Sequence, residues 1–241
     1  MDDLATIKNR IFDILDSKTD VIETDTVPSS ESSFTYENGI RTWVAAVFID
    51  MRHSSDFFTK NNADVVARIM RAYCSEIINI LRQNSNYREI GIRGDCVYAI
   101  YTSPTKDSLN QIYDDAVIIN SFHKLFQKIL LKKGYPTFSV GIGLGADKDL
   151  VIKVGQPYSG INDLIWIGNA VIDASNLSNK GDTSGLYSIY MNSCFYSNIK
   201  DYVANYETGE KNSDQIHYIN GIGYATDVVK INIDNWIKEN I

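Results

Sequence analysis

A chain of 241 residues, 44% hydrophobic and 22% charged, is long enough to bury a full core as one domain with additions. Its formal net charge of −7 leaves no basic surplus to neutralise phosphates, which excludes a general nucleic-acid binder. The three cysteines, Cys74, Cys96 and Cys194, stand far apart with no CxxC or Cys/His cluster, so neither a disulfide framework nor a zinc site is indicated.

Residues 2–16 place Leu4, Ile7, Ile11, Phe12 and Leu15 at helical spacing, an amphipathic helix that is marginal alone and is expected to dock on the domain or on a partner chain. Asp2 and Asp3 stand where a secretory leader carries basic residues, and no apolar run approaches membrane-spanning length, so no membrane insertion and a cytoplasmic location are expected. Residues 17–41 are polar and aperiodic, a linker or arm. Val44 to Arg52 is an apolar run that reads as a strand buried on both faces and ends at Asp50. A helix follows over 64–83. Tyr87 to Ile92 and Cys96 to Tyr101 form two strands joined at Gly94-Asp95, a hairpin signal. Residues 107–133 are a second long helix. Phe138 to Leu144 is a strand with internal glycines, and Leu150 to Val154 is expected to be its partner. A helix is expected over Asn162 to Ser178, strands over 186–191 and 213–219, and a weak helix over 224–239.

The order strand–helix–strand–strand–helix–strand is that of a ferredoxin-like α+β sheet extended at both ends. Its expected division is an N-terminal helix and arm over 1–41, a central domain over 42–221 and a C-terminal extension over 222–241. In such a sheet the first strand lies beside the central hairpin, so Asp50 and Asp95 converge at one edge. Aspartate also ends strands because it begins turns, so the second acid carries the case. Two carboxylates sharing a site repel unless a cation lies between them, and oxygen ligands favour Mg²⁺ or Mn²⁺. Two such ions can stabilise the attacking and leaving oxygens of a phosphoryl displacement.

Four segments occur in sequence between about residues 42 and 191: Phe48-Ile49-Asp50-Met51-Arg52, Gly94-Asp95, Val140-Gly141-Ile142-Gly143-Leu144-Gly145, and Gly168 through Asn176-Leu177. In that order they resemble the motif blocks of the class III nucleotidyl cyclases. The resemblance implies two metal ions held by Asp50, Asp95 and the backbone carbonyl of Met51. It also implies a head-to-tail homodimer with composite sites, and attack of a ribose 3′-oxygen on the α-phosphorus of a nucleoside triphosphate.

The match is incomplete where the base and transition state are read. The family's purine-selecting lysine falls on Gly91 and its partner acid on Ile165, so both purine readers are absent, which argues against ATP and GTP. Arg93 shares a strand face with Gly91, and its guanidinium donors suit the O2 and O4 acceptors of a pyrimidine; a solvent-facing arginine is the other reading. This combination resembles the pyrimidine cyclases of the bacterial Pycsar anti-phage systems, which make cyclic UMP or cyclic CMP for a separate effector protein. UTP is favoured over CTP, although Arg93 can donate to O2 of either base.

The family's helical asparagine and arginine fall on Ile172 and Asn176. Asn169, Asp173, Asn176 and Lys180 occupy one arc of that helix, either its solvated face or the side that meets substrate. In the second case Asn176 is a candidate catalytic residue orienting the ribose, Asn169 and Lys180 are substrate contacts, and Arg52 is a further phosphate contact. Trp166 either stacks on a base or belongs to the core. The alternative function is a catalytically degenerate, cyclase-like nucleotide-binding and dimerisation module. A diguanylate-cyclase relative would need a GG[DE]EF-like turn, and the hairpin here reads Arg93-Gly94-Asp95-Cys96.

Overall fold

The computed structural model describes residues 3–157, 159–181, 187–204 and 216–241. In chain order the elements are α1 (Leu4–Leu15), β1 (Asp20–Glu23), β2 (Asn38–Met51), α2 (Ser54–Lys60), α3 (Ala63–Leu81), β3 (Tyr87–Arg93), β4 (Cys96–Thr102) and α4 (Lys106–Lys132). They continue with β5 (Val140–Gly155), β6 (Asn162–Ile167), α5 (Asn169–Ser178), β7 (Ile189–Met191), α6 (Ser193–Ala204), β8 (His217–Ile219), β9 (Gly223–Thr226) and α7 (Ile231–Asn240). The sheet runs β3-β4-β2-β5-β7-β9-β8, with β1 added parallel to β2 and β6 added antiparallel to β5. Its first four strands have the ferredoxin-like order, which puts the acid-bearing β2 directly beside the β3–β4 hairpin.

Val44 to Val47 are fully buried because β2 is covered on both faces. Ala45, Val47, Ile49 and Met51 join one core with Tyr73 of α3 and Ile112 and Ile119 of α4. On the opposite face Val44 packs with Ile40, Ile100, Val151 and Ala170 under α5.

Four expectations are revised. Residues 138–144 and 150–154 are not partners but parts of one strand, β5, antiparallel to β2 from Met51↔Val140 to Gly39↔Ile152. The glycines inside it, as expected of a close backbone approach, let α5 lie on the strand. A Cβ on Gly141, Gly143 or Gly145 would meet the carbonyl oxygens of Ser178, Ala174 or Ala170 at 2.0, 1.9 and 2.1 Å. Residues 162–167, expected as the start of a helix, are strand β6, and α5 begins only after Gly168. The polar segment 17–41 is not only a linker, since it contributes β1 and the first residues of β2. Near the end, β9 precedes α7, and α6 occupies a stretch to which the sequence pattern assigns no element. Residues 186 and 213–215 of the two expected late strands lie outside the described residues. Helix α1 is capped by Asp3, which accepts from the Thr6 amide at 2.7 Å, but buries none of its residues against its own domain. Among the described residues no helix is long and apolar enough to cross a membrane.

Candidate active site

Strand β2 delivers Asp50 to the edge of the sheet. Its neighbour β4 pairs Ile49 with Val97, and continuing that antiparallel register sets Asp50 and Met51 beside Cys96 and Asp95. The hairpin closes between the paired residues Arg93 and Cys96, with Gly94 in the left-handed region at φ 65°, which glycine tolerates without cost. Asp50 and Asp95, distant in sequence, therefore meet at one sheet edge. Burial pushes the Asp50 carboxyl up from its ordinary value and the Asp95 charge adds to this, while Arg52 pulls it down. Burial, with the two aspartate charges, pushes the Cys96 thiol up to about 12, so it stays a neutral neighbour. Past Arg52 the chain turns sharply at His53, the one non-glycine with positive φ among the described residues.

The donor chemistry fits a hard divalent cation. Among the described residues no cluster of three or more His, Cys, Asp or Glu forms, so the side-chain donors here are two carboxylates. Mg²⁺ and Mn²⁺ accept that arrangement, because they retain waters and take further oxygens from substrate phosphates.

A cavity of about 490 Å³ extends from Asp50 along β3, β4 and β6, lined among others by Arg93, Glu89, Tyr98, Ile165 and Trp166. The carboxylate of Glu89 organises its far end. The Tyr98 hydroxyl donates to Glu89 Oε1 at 2.6 Å, and the Trp166 indole Nε1 donates to Oε2 at 2.7 Å. The Tyr98 ring stacks on Phe48 with centroids 5.2 Å apart. Burial and the adjacent Glu89 push the Tyr98 phenol up to about 12, so it remains a donor. The Arg93 side chain is exposed on the cavity wall. The space over Gly91, which the sequence leaves open beside Arg93, is taken by Tyr98: a Cβ on Gly91 would lie 2.5 Å from that ring.

Helix α5 separates the remaining candidates from Asp50. Val171, Ser175, Ser178 and Asn179 face the Asp50 cavity, whereas Asn169, Asp173, Asn176 and Lys180 line a second cavity of about 470 Å³ with Asp147 and Asn192. There the Asn169 amide donates to Asp147 at 2.8 Å, and Asn192 donates to Asp173 at 2.9 Å. Within one protomer the polar arc and the acid pair are not brought together. Arg52, read from the sequence as a phosphate contact, is instead turned onto Asp50 and the end of α5.

Sequence reasoning misses Glu89, Tyr98 and Asp149. Gly91 and Tyr98 are cross-strand partners, and a glycine opposite an aromatic on an edge strand is a signal that could have been read. Asp149 is fully buried and accepts from the first amides of α5, those of Ala170 at 3.2 Å and Val171 at 3.4 Å. Gly168 is required beside it, since a Cβ there would meet the Asp149 carboxylate at 2.0 Å. This cap leaves the first amides of α5 already satisfied by a buried carboxyl group, whose pKa burial raises while the two amides pull it down.

No family model matches the chain. It is 37% identical over 239 residues to a uridylate cyclase of Treponema porcinum, covering 99% of this chain and 82% of that protein. It is 31% identical over 253 residues to a uridylate cyclase of Gulbenkiania mobilis, covering 99% and 96%. Among solved structures, a class III adenylyl cyclase-like ATP-binding protein from Pseudomonas aeruginosa superposes with a TM-score of 0.69 at 16% identity, covering 97% of this chain and 49% of that one. The adenylyl cyclase CyaB from P. aeruginosa superposes with a TM-score of 0.60 at 20% identity, covering 68% and 83%. The two structural likenesses establish the shared fold.

Proposed function

The chain belongs to the uridylate cyclases, and on that premise we propose that it converts UTP to 3′,5′-cyclic UMP and pyrophosphate. The observation that carries this reading is a cavity with Asp50 at one end, the Asp95 charge close enough to raise the Asp50 carboxyl, and Tyr98 filling the space over Gly91 farther along. Tyr98 fills the space over Gly91 in which the resemblance puts a purine-reading lysine, so the slot lacks that reader and is bounded by an aromatic ring instead. Arg93 supplies donors for the carbonyl oxygens of uracil or cytosine, and the edge of Glu89 accepts from a ring N–H or an exocyclic amine. Both pyrimidines fit this description; the two curated relatives at 37% and 31% identity, each a uridylate cyclase, favour UTP.

Asp50, Asp95 and the Met51 carbonyl would hold Mg²⁺ or Mn²⁺, which when bound would neutralise charge on the triphosphate and lower the pKa of the 3′-hydroxyl. The protein's own contribution is positioning and the exclusion of water. Trp166 and the Phe48–Tyr98 stack wall the base slot, and Glu89 fixes both rings. The polar arc of α5 points away from Asp50 in its own protomer, which suits a head-to-tail homodimer in which that arc meets the partner's acids. Ile165 and Ile167 on β6 and Ile172 on α5 are 37%, 46% and 52% exposed, an apolar surface such a dimer would cover. In this reading Asn176 orients the ribose and Lys180 meets the phosphates across the interface. The enzyme would be cytoplasmic and its product a messenger read by a separate effector in anti-phage defence.

Incubation with each of the four nucleoside triphosphates and Mn²⁺, followed by mass identification of products, tests the proposal. Cyclic UMP is the expected main product. A cyclic purine product overturns the base assignment. No cyclic product from any triphosphate, with UTP still bound, would instead identify a binding module, the reading suggested by Ile172 at a family transition-state position.

A further inference from the structure

Arg52 follows the acid-bearing strand by one residue, yet its side chain is only 10% exposed. Its Nη2 donates to Asp50 Oδ2 and to the carbonyl oxygen of Ser178, both at 2.7 Å, and its Nη1 donates to the carbonyl of Asn179 at 2.8 Å. Its Nε is buried without a partner. The two carbonyls belong to the C-terminal end of α5, where helical carbonyls lack internal partners and carry partial negative charge. Gly141 completes the junction. It is the register partner of Asp50 on β5, and a Cβ there would meet the same Ser178 oxygen at 2.0 Å. The acid, the bare glycine and the end of the helix are thus packed against one another, with the guanidinium fork joining the first to the last.

We propose that Arg52 is a positioning residue for the cyclase reaction, aiming Asp50 by holding one of its oxygens and locking that acid to α5, and that it does not contact phosphate. Ser178 and Asn179 line the same cavity as Asp50, so the tie fixes two walls of the site in one geometry. The proposal rests on the cyclase reading for the identity of the reaction. A lysine cannot replace such a fork: it keeps the charge, but one ammonium cannot span an acid and two carbonyls in fixed directions.

Arg52→Lys and Arg52→Gln, each checked for two-state thermal melting, separate the roles. Mn²⁺ binding to nucleotide-free protein, read by the electron paramagnetic resonance of the free ion, should weaken by about tenfold to a hundredfold in Arg52→Lys. Because charge is conserved in that variant, the loss reports orientation alone. With UTP, kcat should fall in both variants while KM stays within about twofold, since an interaction used in the transition state is lost. Lysine is a competent phosphate partner, so an Arg52→Lys enzyme with near-native kcat, or with the loss confined to KM, overturns the proposal. Unchanged Mn²⁺ affinity in Arg52→Lys overturns it too, as does failure of both variants to fold. If the wild type makes no cyclic nucleotide, the functional reading falls, and the Mn²⁺ comparison still decides whether Arg52 orients Asp50.

Discussion

The ring of Tyr98 stands where any side chain at position 91 would have to be: a Cβ on Gly91 would lie 2.5 Å from it. The ring cannot swing aside freely, because it stacks on Phe48 and its hydroxyl is held by Glu89. On the proposed function, a residue pair that is merely adjacent across two strands bounds the base slot.

Removing the ring should therefore lengthen the slot. Tyr98→Ala is expected to lower the preference for UTP over ATP and GTP by about tenfold or more, the scale of discrimination available to shape alone. Tyr98→Phe keeps the ring and should keep the preference, although it releases one Glu89 oxygen. Competition assays with product masses read both. Unchanged selectivity in the alanine variant would remove Tyr98 from base recognition.

The acid pair makes a separate demand. Asp50→Asn and Asp95→Asn should each cut cyclic nucleotide formation by at least about a hundredfold, because each removes a carboxylate from the charge-neutralising end of the site. Chelation should abolish activity, and added Mn²⁺ should restore it in the wild type only. Asp95 sits in a hairpin turn, so Asp95→Asn should change unfolding free energy by less than about 0.5 kcal/mol. Calorimetry beside the activity assay distinguishes a lost ligand from a lost fold.

The seat of α5 on β5 tolerates no methyl group. At Gly143 a Cβ would meet the Ala174 carbonyl at 1.9 Å, and both are backbone that cannot step aside. Gly143→Ala is expected to cost about 3 kcal/mol or more in urea unfolding, at the upper end of overpacking effects. An alanine variant of wild-type stability would mean that α5 can lift from the sheet.

Two buried groups should give opposite pH responses. Burial pushes the Asp115 carboxyl up to about 7, above its ordinary 3.8, so the folded state holds the extra proton and stability falls as pH rises through that window. Burial pulls the His123 imidazole down to about 4 from 6.5, so there the unfolded state holds the extra proton and stability rises with pH. Between about pH 4 and 6.5 the slopes oppose, each about 1.4 kcal/mol per pH unit. Relative to wild type, Asp115→Asn should gain stability as pH rises from 4 to 7. His123→Leu should lose ground from 4 to 6.5. Urea titrations at fixed pH values check both; parallel curves would show that neither group titrates differently on folding.

What the sequence determined by itself was local. The apolar run ending at Asp50, the Gly94-Asp95 turn and the long helical stripes are set by periods and turn chemistry that act over a few residues. The ferredoxin-like order and the meeting of the two acids follow from them. The interior glycines were legible as a place of close backbone approach, but the polar stretch Asp147-Lys148-Asp149 hid the continuity of β5. Within a short window that stretch looks like a break between two strands, whereas in the sheet it stays in register with β2. Only the tertiary structure decided the rest. Arg52 reaches carbonyls 126 and 127 positions away, and Trp166 reaches Glu89 across 77. The rotation of α5 about its own axis, fixed by three glycines beneath it, turns Asn176 away from Asp50. Such contacts depend on how elements pack, and packing joins residues that no stretch of sequence holds side by side.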